Sequence, residues 1–108
     1  MALSITTSTT DAGVVVAAQG EVDVSCASEL REALDAVLGL EELPSALTVD
    51  LSEVPYIDST GIGVLVGAAH RAAERGVSFA VAHPQRNVKR VFDLLGVARE
   101  LGIASTEV

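Results

Sequence analysis

Aromatic side chains are nearly missing from this chain, which has no tryptophan, one tyrosine and two phenylalanines in 108 residues. Any core must therefore be built from Val, Leu, Ile and Ala. Apolar residues make up 49% of the sequence, too dense for a chain that stays disordered. Cys26 is the single cysteine, which excludes an intramolecular disulfide and leaves no thiolate cluster for a metal. Cations are also few: seven Lys and Arg stand against fifteen Asp and Glu, a net charge of −8. Such a field repels phosphate backbones, so no nucleic-acid partner is expected and a protein partner fits better. Long apolar runs are absent as well. The longest, GIGVLVGAA, has nine residues, against the about 20 that a membrane-spanning helix needs. The start, MALSITTSTT, has neither a basic opening nor a continuous apolar segment. No signal peptide and no membrane association are therefore expected, and the cytoplasm is the expected location.

What the chain does contain is strand-like and helix-like segments in alternation. Residues 3–9 read as an edge strand, and the Val-rich 13–22 as a stronger one. From Ser25, a possible N-cap, Leu30, Leu34, Val37 and Leu38 recur at helical spacing. Residues 46–51, ALTVDL, read as a strand buried on both faces. A second helix follows the IDSTG turn, with Ile62, Leu65, Val66, Ala69 and Ala73 as its core stripe and Gly76 at its end. Residues 77–82 form another buried strand. A third helix takes Pro84 in its first turn, carries Val88, Val91, Phe92 and Leu95 on one face, and ends at Gly96. One more short strand is expected around Ile103.

This order, β-β-α-β-α-β-α with a final β, describes one α/β domain over residues 1–108. Its sheet is small, mixed and mainly parallel, of 4–5 strands. Right-handed crossovers bring the C-terminal ends of 13–22 and 46–51 to one rim, where open α/β sheets carry their sites. GEVD (20–23) and IDSTG (57–61) should therefore meet, gathering Asp23, Asp58, Ser59 and Thr60.

Capping alone accounts for Asp58 or Ser59 at a helix start. It does not account for Gly61, Gly63 and Gly67, because each glycine inside a helix costs about 1 kcal/mol relative to alanine. Close approach of another backbone is a reason for glycine. Val64 and Ala68 fall on a different face from Leu65 and Ala69. They form either an apolar docking surface beside the Ser59 hydroxyl or a face covered by another helix of the same domain.

Catalytic patterns are absent. IDSTG is not a G-x-S-x-G elbow, the GIG pair is not G-x-G-x-x-G, and no phosphate loop is present. His70 reads as a solvated helix residue and His83 as a loop residue. Cys26 reads as a small first-turn residue, and Arg86, Lys89 and Arg90 as a solvated face. No enzyme activity, cofactor or metal is expected.

GEVD, VDLSEVPYIDSTGIGVL and VKRVFDLLGV together resemble the STAS-domain family of bacterial anti-sigma factor antagonists, over about Val14 to Val97. DSTGIG is the most specific of these segments. The resemblance implies a sheet with helices packed mostly on one face. It further implies that the unphosphorylated protein binds an anti-sigma factor that is itself a serine kinase, freeing a sigma factor. The kinase would modify the serine after the motif aspartate, here Ser59, and a serine phosphatase would reverse it. Asp23 and Asp58 match positions lining the same surface, and the expected partner-binding set is Asp23, Asp58, Ser59, Thr60, Gly61, Gly63 and Val64. The same domain also serves as a non-switching subunit of stressosome, transporter and lipid-transport complexes, which is the alternative reading. A small enzyme acting on a phosphorylated ligand is a third, which the missing phosphate loop and catalytic base disfavour.

Overall fold

Strand β2 (Gly13–Gln19) buries Val14, Val16 and Ala18 in strict alternation. Strand β3 (Ala46–Glu53) does the same with Leu47, Val49 and Leu51. Period-two burial of this kind means a sheet with one wet and one dry face. The computed structural model, which describes residues 3–103, builds that sheet from four strands in the order β1-β2-β3-β4. β1 (Ser4–Thr10) is an antiparallel edge paired with β2, while β2, β3 and β4 (Ser78–Ala82) are parallel. Register aligns Val16, Val49 and Val81 in one row and Val14, Leu47 and Phe79 in the next.

Helix α1 (Ala27–Leu38) crosses from β2 to β3, and α2 (Ser59–Glu74) crosses from β3 to β4. Both crossovers step the same way along the sheet, so crossovers of one hand place both helices on the same face. There they pack against each other and over the dry side of the strands. Leu30 and Leu34 of α1, Leu65 and Ala68 of α2, and Phe92 of α3 (Arg86–Leu95) are fully buried in one continuous core. No helix among the described residues is long and apolar enough to cross a membrane.

Several expectations change. β3 is not buried on both faces: Thr48 and Asp50 are only half-buried, because the helices cover one side. β2 stops at Gln19, since Gly20 turns at φ 113° and the β2–β3 register shifts between Ala17 and Gln19. Ser25 is not the N-cap of α1. Cys26 takes that position without a side-chain cap, and the Asp23 carbonyl accepts from Cys26 and Ala27 N–H at 3.0 and 2.8 Å. In α2, Ala72 is buried and Ala73 exposed. Pro84 precedes α3 by two residues, and Leu95 is 55% exposed beyond the Val88 and Phe92 contacts.

The final strand is also absent among the described residues. The N–H groups of Leu101 and Ile103 turn back to the carbonyls of Val97 and Ala98. One bond alone, Val81 N–H to Leu101 O at 2.9 Å, joins this segment to the edge of β4. Residues 104–108 lie outside the described range.

Candidate functional site

The two loops expected to meet do so through the backbone. Val22 and Ile57 form an isolated parallel bridge beyond the ends of β2 and β3. Val22 N–H donates to Tyr56 O at 3.0 Å, and Asp58 N–H donates to Val22 O at 3.1 Å. Asp23 and Ser59, each one residue beyond these pairings, therefore share one rim of the sheet.

Asp58 is the N-cap of α2. Its backbone is extended, as a cap requires, and Oδ1 accepts from Gly61 N–H at 3.0 Å. Oδ2 reaches across to Val24 N–H at 3.0 Å. One carboxylate thus closes the helix start and fastens the 20–26 loop to it. Both oxygens of Asp58, a member of the expected partner-binding set, accept hydrogen bonds within the domain.

Asp23 organises its own loop. Its Oδ1 accepts from Ser25 Oγ at 2.6 Å and from Ser25 N–H at 3.0 Å. The Ser25 hydroxyl, followed by the Ser25 amide, holds the Asp23 carboxyl below its ordinary value of 3.8. The Cys26 thiol donates to Glu21 O at 3.2 Å, which makes it a strut of the same loop.

Ser59 and Thr60, the first two residues of α2, are exposed, and neither hydroxyl is engaged among the described residues. The Ser59 oxygen stands free above a capped helix N-terminus, whose amides and dipole favour an anion. Two exposed apolar residues lie on the loops of the same rim: Val24, 74% exposed, and Tyr56, 49% exposed. Neither is in the partner-binding set expected from the motifs. Their signal was position, since Val24 follows the GEVD acid and Tyr56 sits between Pro55 and the IDSTG turn, where no strand can hide it.

The glycines divide into separate cases. A Cβ on Gly61 would lie 2.7 Å from Ile57 Cγ1 and 2.8 Å from Val22 Cγ1, so the bridge beneath the helix requires this glycine. Gly63 is exposed, and a Cβ there would meet nothing within 4 Å. Val64 does not present a docking surface. It is buried, as is Ala68, on the side of α2 where α1 packs. The covered-face alternative is the correct one.

The match to a family model described as "Mlab, STAS domain" runs over residues 5–103. Among proteins with assigned roles, the anti-sigma-B factor antagonist of Bacillus subtilis is 35% identical over 86 residues, covering 80% of this chain and 76% of that protein. An anti-sigma factor antagonist from Mycobacterium paratuberculosis superposes with a TM-score of 0.85 at 26% identity, over 97% of this chain and 87% of that one. The Bacillus cell fate determinant SpoIIAA in its phosphorylated form shares the fold alone, with a TM-score of 0.67 at 18% identity over 95% and 93% of the two chains. The fold is that of a STAS domain. Within that class, the chain belongs to the family of anti-sigma factor antagonists.

Proposed function

We propose that this protein is a regulatory binding module rather than an enzyme. With Ser59 unmodified it captures an anti-sigma factor that is a serine kinase, and phosphorylation of Ser59 releases it. The carrying observation is the free, exposed Ser59 hydroxyl on a helix start that Asp58 has already capped. In the transfer, Ser59 Oγ attacks the γ-phosphorus of a nucleoside triphosphate held by the kinase. The Oγ–P bond forms as the β–γ bridging bond breaks, the nucleoside diphosphate leaves, and the Ser59 proton passes to a kinase base. A serine phosphatase reverses this: water attacks phosphorus, the Oγ–P bond breaks, Ser59 Oγ regains a proton and inorganic phosphate leaves.

The switch follows from where the new charge lies. A phosphoserine carries about −1.5 to −2 charges at neutral pH. Alone, the chain can accommodate it at the end of α2. In a complex it would be enclosed beside the carboxylates of Asp23 and Asp58 and the apolar surfaces of Val24 and Tyr56, losing hydration and meeting like charge. Thr60 and Gly63, exposed on or near the same turn, complete the contact face. Asp58 acts by fixing it, and Gly61 by letting the helix sit close to the bridge.

Calorimetric titration against the anti-sigma kinase of the same cell tests this. Phosphorylated protein is expected to bind at least about a hundredfold more weakly, near 3 kcal/mol. Ser59→Ala should bind normally and resist modification. Equal affinity of the two forms would leave the alternative, a non-switching subunit using the same rim.

A further inference from the structure

Gly63 has no explanation inside the domain. It stands in the second turn of a helix, where glycine is unfavourable, yet a side chain there would strike nothing. Its outlook is an open groove of about 660 Å³ between α1 and α2, floored in part by Gly63 and Gly67. Both continue down the helix from Ser59 at one-turn spacing, but only Gly63 bares the α2 backbone; Gly67 is half-buried. At Gly67 a Cβ would lie 3.3 Å from the Arg71 guanidinium, which reaches across the groove to Asp35.

The charge of this groove is the reverse of the molecule's. Arg31, Arg71 and Arg75 line it, three of the seven cations in a chain of net charge −8. Arg71 Nη2 lies 2.6 Å from Asp35 Oδ1, a charge contact not aligned as a hydrogen bond. That contact neutralises one arginine. Arg31 and Arg75 are exposed and have no ion pair among the described residues, and Glu74 is the one other acid lining the groove. A groove with one cation in excess, and with backbone bared at Gly63, is thus set into a molecule of net charge −8.

We propose that this groove receives an acidic α-helical segment of the anti-sigma partner. Its backbone would lie close over Gly63, and its carboxylates would reach Arg31 and Arg75. Two parallel helices make a trough that fits a third, and glycine on its floor permits close approach of a helix axis. The arginines supply charge complementarity and, with planar forks, geometry for carboxylates. The inference rests on the partner reading of the rim. It extends that partner's contact from the rim down α2 and so fixes its orientation over Ser59.

The test titrates the full chain with the purified anti-sigma kinase at low and high salt. Arg31→Glu combined with Arg75→Glu should weaken binding at least about 30-fold. It should also flatten the salt dependence, because the lost pairs are the screened ones. Gly63→Leu, which leaves the charge unchanged, should weaken binding at least about tenfold by filling the floor of the groove. Both changes are at exposed positions, and melts should confirm that the fold is kept. Near-normal binding by the charge-reversed variant, with Ser59 phosphorylation still releasing the unaltered chain, would overturn the groove and leave the switch standing. Unaltered protein that fails to bind the kinase, or binds it equally in both phosphorylation states, would overturn the reading of the rim and remove the groove's occupant with it.

Discussion

At Gly61 a missing methyl group decides whether the rim can assemble. An alanine Cβ would press into Ile57 and Val22, the two residues whose bridge joins the loops. Overpacking of this kind costs about 1–3 kcal/mol, partly offset by the about 1 kcal/mol that alanine gains in a helix. Gly61→Ala should therefore lose up to about 2 kcal/mol in urea unfolding, and a midpoint that rises would contradict the packing. Asp23 offers a second test at this scale. Its folded pKa is depressed, so its contribution to stability is present above the ordinary value of 3.8 and disappears as pH falls through the lower folded value. Asp23→Asn should be less stable than the unaltered protein near neutrality, and the gap should close in acid. A gap independent of pH would mean that the charged acceptor is not what Ser25 stabilises.

The helix α2 shows how differently two glycines of one element behave. Gly63→Ala meets open space, so helix propensity acts alone and the variant should gain about 1 kcal/mol, read from the same urea midpoint. A loss would reveal a contact that the folded chain makes with Gly63. Nothing in the spacing of these glycines separates them. Gly61 faces inward because the bridge residues happen to lie beneath it, and only the tertiary arrangement supplies that. The helical stripes themselves were legible: Leu30, Leu34, Val37 and Leu38 all entered the core, as their 3.6-residue period required. Local chemistry misled where two partners competed for one group. Ser25 has the residue type of an N-cap, but the Asp23 carboxylate takes its hydroxyl. Likewise Ile103 has the side chain of a strand residue, while its N–H is already bonded to Ala98. Val64 was ambiguous because the helix is apolar on more than one face, and only the packing of α1 resolves which face is covered.

For the whole molecule, the proposed switch requires its free energy to reside in the complex and not in the fold. Phosphorylated and unmodified protein should melt within about 2–3 °C of each other, a difference below 1 kcal/mol for a domain of this size. A larger loss would place part of the switch inside the domain, through disruption of the Asp58 cap. The rim was legible at this scale because strand order and crossover hand are general constraints that need no atomic detail. The electrostatic asymmetry was not. Arg31 and the pair Arg71 and Arg75 are about forty residues apart, and only the packing of α1 beside α2 brings them to one groove.

The strand order β1-β2-β3-β4 is also the order in which a ribosome delivers the strands. Each strand from β2 onward leaves the exit tunnel to find its neighbour already made, separated from it by a turn or one helical crossover. No strand must wait for a later one to open a place between two others, so the entropy of closing long loops is never met. The sheet can grow by accretion from its N-terminal hairpin. Both loops of the rim, 20–26 and 56–61, are synthesised before β4, α3 and the segment that borders the last edge. The surface proposed to meet a partner is thus complete in sequence before β4 and α3 are made.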